Sequence, residues 1–171
     1  TGLVDEAISI SDLGTVVSAS DITDIEALTT GAVTVALSGT SITATSLNSL
    51  DANSTQAVNA GGVATITGAA ADINTAYASS GITGLGDEAV TLTDTSLTAA
   101  TLNTLNANTT GTVDASTVTT ITGSVADANT MYATAGLTGG GDEAVTITDT
   151  TITATALNTL DGNTTGTVDA S

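Results

Sequence analysis

The stretch GDEAVTLTDTSLTAATLNTLNANTTGTVDAS at 86–116 returns at 141–171 as GDEAVTITDTTITATALNTLDGNTTGTVDAS, an offset of 55 with 24 of 31 positions identical. Self-similarity at a fixed period is the signature of a chain built from repeated supersecondary units, so it constrains the fold more than any local pattern does. The period extends backwards. Residues 31–58 precede 86–113 by 55, and VATITGAAADINTAYASSGITGLG at 63–86 precedes VTTITGSVADANTMYATAGLTGGG at 118–141 by the same step. Each unit also divides into two related halves, offset by 27 or 28, since Leu85, Val90 and Leu97 fall 28 positions before Val113, Val118 and Val125. At the start, GLVDEAISISD at 2–12 matches GLGDEAVTLTD at 84–94. Residues 1–171 therefore read as a single tandem-repeat domain of about six half-repeats.

Composition excludes several functions. The chain has no Lys, Arg, His, Cys, Pro, Phe or Trp, and its 18 acidic residues leave a net charge of −18. Nucleic acid is excluded as a partner because neutralising phosphates takes Lys and Arg. An anionic membrane surface is disfavoured for the same reason. No apolar run approaches the ~20 residues that span a bilayer, so membrane insertion is not expected. High charge with few aromatics is a mark of disorder, but 40% of the residues are apolar and Val, Leu and Ile keep a fixed phase, which a disordered segment does not. The absence of Cys leaves the redox compartment open. A first residue other than Met and a last residue in mid-unit lead to the expectation of a fragment of a longer array.

The apolar periods alternate. AISIS at 7–11 alternates as a strand does. Asp21, a good N-cap, precedes Ile22, Ile25 and Leu28 at helical spacing, with Gly31 as a stop. Strands follow at Val33, Val35 and Leu37, at 63–67, 90–93, 118–122 and 145–148. Helices follow at 45–50, in AADINTAYASS, at 98–108 and at 124–134, where Ser124 and Asp127 form a near capping box. The expected fold is an α/β solenoid of about six coils, with one short strand and one short helix in each half-repeat. A helix-free β-solenoid is the alternative, since short apolar runs do not separate helix from strand.

VTLTDTSL at 90–97 resembles the L-x-L-x-x-N-x-L core of leucine-rich repeats, with Thr95 where that family has Asn. DINTAYASSGITGLGDEAVTL at 72–92 resembles the long Thr-, Ala- and Asn-rich repeat proteins of bacterial surfaces, including those of marine cyanobacteria. That second resemblance implies an extracellular or cell-surface setting.

Three residue patterns are candidates for chemistry. The pairs Asp87-Glu88 and Asp142-Glu143, like Asp5-Glu6, each precede a strand, with Asp94, Asp149 and Asp12 seven positions on from the first acid of each pair; Asp114 and Asp169 lie in the alternate halves. Stacked in successive coils about 4.8 Å apart, such carboxylates would repel, and with no basic residue in the chain the natural relief is calcium, which takes oxygen ligands. Asp87, Glu88, Asp94, Asp114, Asp142, Glu143, Asp149 and Asp169 are thus candidate calcium ligands, against the alternative of a solvated acidic edge that favours solubility. The sequons at Asn53, Asn108 and Asn163 recur with the same offset of 55, but Asn also closes helices and turns. The pairs Thr91 with Thr93 and Thr146 with Thr148 resemble the T-x-T arrays of ice-binding solenoids, although the alternate halves, with Val118, Thr120 and Ile121, break the alternation.

Catalysis is not expected. No His, Cys or Lys can serve as base or nucleophile. A carboxylate pair could serve a glycosidase, but here every carboxylate is repeated and no aromatic platform faces it. Tyr77 and Tyr132, the two aromatics, read with Met131 as core fillers. The function expected is structural: a repeat segment of an extracellular surface, filament or adhesin protein, its partners neighbouring repeats or copies of itself stacked end to end. Calcium or ice binding is the alternative.

Overall fold

The computed structural model describes residues 35–37 and 40–171. The strand at 7–11, the helix beginning near Asp21, Val33 and the acids Asp5, Glu6 and Asp12 lie outside these residues. Within them, strands and helices alternate: β1 (Val35–Ala36), β2 (Ser41–Thr43), α1 (Ala44–Asn53), β3 (Val58–Asn59), β4 (Thr65–Gly68), α2 (Ala70–Ala78), β5 (Ile82–Thr83), β6 (Ala89–Leu92), β7 (Ser96–Thr98), α3 (Ala99–Asn108), β8 (Val113–Asp114), β9 (Thr120–Gly123), α4 (Val125–Ala133), β10 (Leu137–Thr138), β11 (Ala144–Ile147), α5 (Ala154–Asp161) and β12 (Val168–Asp169). The arrangement is α/β, and the helix-free alternative is set aside by these five helices.

Each helix is short, and most carry their own start signal. Thr43, Thr98 and Thr153 accept the backbone N–H three positions on in α1, α3 and α5, and Ser124 does so for Asp127 in α4. Such caps satisfy N–H groups that the helix itself leaves without partners. The four helices α1–α4 bury one narrow stripe at a spacing of three: Ala44, Leu47 and Leu50; Ala70, Ile73 and Ala76; Ala99, Leu102 and Leu105; Val125, Ala128 and Met131. The strands alternate as expected, so that Ile66, Val90, Leu92, Ile121 and Val145 point into the same core while their Thr neighbours point outward.

Every strand pair is parallel, and every pairing advances the sequence number by 23 or 24, as in Ile42↔Ile66, Ile66↔Val90, Val90↔Val113 and Leu97↔Ile121. Parallel neighbours need a crossover of a dozen or more residues, which is what each helix supplies. The halving of the sequence unit predicts a step of 27–28 instead. That figure is an average over unequal halves: helices begin at Ala44, Ala70, Ala99, Val125 and Ala154, alternately nearer and farther apart. Hydrogen-bond register, not helix spacing, sets the pairing, and the residues left over in each unit form an additional strand, β6 or β11.

That strand reorganises the sheets. In the five-stranded sheet, of order β10-β8-β6-β4-β2, the strands on one side of β6 precede helices (β2, β4) and those on the other side follow them (β8, β10). β11 holds the same place in the sheet β12-β11-β9-β7, and β1 occupies the edge of β1-β3-β5. Each of α1–α4 thus runs from a strand of one sheet to a strand of another, and the helices pack in series, α1 on α2 through α4 on α5. Asn side chains stitch the series: Asn48, Asn103 and Asn129 donate to the carbonyls of Asp72, Asp127 and Ala156 at 2.9, 3.0 and 3.1 Å.

Candidate functional site: the acidic residues and the threonine rows

The eight candidate calcium ligands have four different fates. Glu88 and Glu143 turn inward and are 1% exposed. The Glu88 carboxylate accepts the Tyr77 hydroxyl at 3.0 Å and the Gly86 N–H at 2.9 Å. Glu143 accepts Tyr132 at 3.0 Å and Gly141 N–H at 2.7 Å. Their backbone carbonyls accept the buried hydroxyls of Thr109 and Thr164. Gly111 and Gly166 pass so close to these two carbonyls that a Cβ would overlap them, which closes the site from that side. A charge out of water is costly unless hydrogen-bonded, and here each is met by a phenol and a backbone amide. Tyr77 and Tyr132 therefore do more than fill space against the core. Burial, reinforced by the neighbouring Glu88 and Asp87 or Glu143 and Asp142, pushes both phenols well above their ordinary range, an effect that hydrogen bonds with Thr109 and Thr164 partly offset. The sequence carries a signal for this pairing, since Tyr and Glu stand eleven positions apart in both units.

Asp94 and Asp149 act on the starts of helices that lie 24 residues before them in sequence. Asp94 accepts the Ala70 N–H at 2.8 Å and Asp149 the Val125 N–H at 2.6 Å, so each carboxylate sits at the positive end of a helix. α2 depends on this, because Ala69 at its N-cap position has no side-chain acceptor. Asp114 and Asp169 fold their own turns by accepting the N–H of Ser116 and Ser171 at 3.0 Å. Hydrogen bonds from these serines hold both carboxyls below the usual range: the backbone bond leads for Asp114, the hydroxyl for Asp169. Asp87 and Asp142 remain on the surface.

The stacked carboxylates expected from sequence do not form. Asp114 pairs with Thr91 and Thr138, and Asp169 with Thr146, because the register advances in steps of 23–24 while the acids recur at 55. Among the described residues, no three acidic side chains converge at a spacing that would hold a metal ion.

Two of the three sequon asparagines close helices, whereas Asn163 lies in the turn beyond α5. α1 ends at Asn53, which donates to the Ser49 carbonyl at 2.7 Å, and α3 ends at Asn108, which donates to Asn74 at 3.1 Å.

The outward threonines, by contrast, line up better than the sequence suggests. Thr43, Thr67 and Thr91 form one row across the five-stranded sheet, with Asp114 and Thr138 beyond. Thr98, Thr122 and Thr146 form a second, ended by Asp169. Ser41, Thr65 and Ala89, and Ser96, Thr120 and Ala144, run parallel to them two positions away along the strands. The halves that break the alternation in sequence keep it in register, because Ile121 points inward between Thr120 and Thr122.

No helix among the described residues is long and apolar enough to cross a membrane. No protein family, curated protein or solved structure matches the chain.

Proposed function

We propose that the chain is a segment of a structural α/β solenoid, a non-catalytic repeat array of an extracellular surface, filament or adhesin protein. The observation that supports this is duplication. The Tyr77–Glu88–Gly86 constellation recurs as Tyr132–Glu143–Gly141, and the bond from Ala70 to Asp94 recurs from Val125 to Asp149. A catalytic site is assembled once from singular parts, whereas groups that return with every unit belong to the frame. In a solenoid each repeat contacts only its neighbours, and stability is a sum over them. The helices packed in series and the constant parallel step fit that description. An acidic surface without a cation keeps such an array from coalescing sideways. The test is cellular: antibodies raised against the chain label intact, unpermeabilised cells that carry the full-length gene. Labelling that needs permeabilisation overturns the surface assignment.

The threonine rows favour a second reading, ice binding. Hydroxyl and methyl groups repeat at about 4.8 Å across the strands and about 6.7 Å along them, a two-dimensional lattice able to order a water layer. Under this reading the chain shows thermal hysteresis that Thr91→Lys and Thr146→Lys abolish and Thr104→Lys, on the helical side, leaves unchanged. Absence of hysteresis in the parent chain removes the reading.

A further inference from the structure

The C-terminal face differs from its internal counterpart in one consistent way. Ala99 and Leu102 of α3 are 0% and 1% exposed, yet their equivalents in α5, Ala154 and Leu157, are exposed and half-buried. Val113 and Ala115 are fully buried, whereas Val168 is half-buried and Ala170 exposed. Residues 151–153, Thr-Ile-Thr, stand where β7 has Ser-Leu-Thr, but they form no strand. The N–H groups of Val113 and Ala115 donate to Gly136 and Thr138 at 2.8 Å, while β12 is the edge of its sheet.

What covers the internal face is visible. β9 pairs with β7, α4 packs on α3, and β10 pairs with β8. We infer that the C-terminal face is a docking surface for a half-repeat of the 117–140 type, a strand–helix–strand segment placed on α5 and β12 as β9, α4 and β10 are placed on α3 and β8. Both internal faces of this kind carry that half-repeat, since α2 packs on α1 as α4 packs on α3. Gly123 lies opposite Ala99 at φ +147°, a conformation that L side chains rarely adopt, and Gly68 lies opposite Ala44, where a Cβ would come within 3.2 Å of the Ala44 methyl. Ala154, the equivalent of Ala44 and Ala99, would be met by glycine in the same way, where the other half-repeat has Ala99. The Asp127 carbonyl receives the Asn103 amide at 3.0 Å, and Asn158, the equivalent of Asn103, is exposed and positioned to donate in the same way. In the internal register Val113 pairs with Leu137 and Leu97 with Ile121, so their equivalents Val168 and Ile152, both half-buried, match a Leu and an Ile of the same half-repeat.

This inference rests on the array reading, but the two fail separately, since cell labelling does not depend on the C-terminal face and exchange at that face does not depend on where the protein is found. The experiment uses the full 171-residue chain and two synthetic peptides, 117–140 and 93–116. Amide hydrogen exchange is followed at residues 151–153, Val168 and Ala170. Peptide 117–140 is expected to slow exchange at these positions by about tenfold or more, peptide 93–116 to leave it unchanged, and Leu157→Asp in the chain to abolish the protection. Leu157→Ala, a milder change, weakens it and guards against misfolding of the charged variant. No protection, equal protection by both peptides, or protection that survives Leu157→Asp overturns the proposal. Protection that rises with the concentration of the chain alone assigns the face to a second copy and overturns the half-repeat as its occupant.

Discussion

A buried glutamate in a chain without a single base needs an explanation in its hydrogen bonds, and Tyr77 and Tyr132 provide one. A hydrogen bond to a charged group contributes about 1.5–3 kcal/mol, so Tyr132→Phe is expected to destabilise by that amount in urea unfolding, with Tyr77→Phe similar. The same phenols give an alkaline signature. In the unfolded chain tyrosine ionises near pH 10; in the fold its ionisation is displaced upward. A group whose folded pKa is raised contributes stability below its unfolded pKa and loses it above. Stability should therefore hold up to about pH 10 and fall beyond, and the double Phe variant should lack the share of that fall due to the phenols. The acid side has the opposite sign. Asp114 and Asp169 titrate below the usual range in the fold, so their contribution is present at neutral pH and is lost as pH drops below about 4.

At the scale of elements, the helices and the four-residue strands were legible because their apolar residues recur in phase: α3 and α4 lie within a residue or two of the expected spans, and Val90, Leu92, Leu102 and Leu105 are buried as their spacing requires. The two-residue strands β3, β5, β8, β10 and β12 were not legible. A single Val, Ile or Leu beside a polar residue has no period, and only pairing with a strand 23 or 24 residues away makes it β. The same distance hid the role of Asp94 and Asp149, which read as ligands because the helix ends they hold are remote in sequence. A separable test follows. Losing an N-cap acceptor costs about 0.5–2 kcal/mol. Asp94→Ala should lie at the upper end, since α2 has no cap of its own, and Asp149→Ala at the lower, since Ser124 still caps α4. Ala69→Ser should restore some of the loss in the Asp94 variant, read as the shift in thermal midpoint.

For the whole molecule, the period of 55 was plain but its internal division was not, because sequence identity marks equivalent residues whereas stacking follows the register of 23–24. The core is one continuous cluster running from Val35 to Leu160, so the cost of a deletion depends on whether a following strand–helix segment covers it. Leu102→Ala should destabilise by about 2–5 kcal/mol. Leu157→Ala, at the same place in the following unit but half-buried, should cost less than half as much when both are measured by denaturant unfolding.

The additional strand of each unit has a mechanical consequence. Between α2 and α3, the sheet β1-β3-β5 ends and the sheet containing β7 begins, yet the five-stranded sheet passes straight through on β6. Sheets are laid as a mason lays bricks in running bond, each joint falling beside an unbroken course. A crack that opens at one joint meets the middle of the next brick, so a pull along the series of helices has to tear hydrogen bonds within a sheet as well as prise neighbouring sheets from each other.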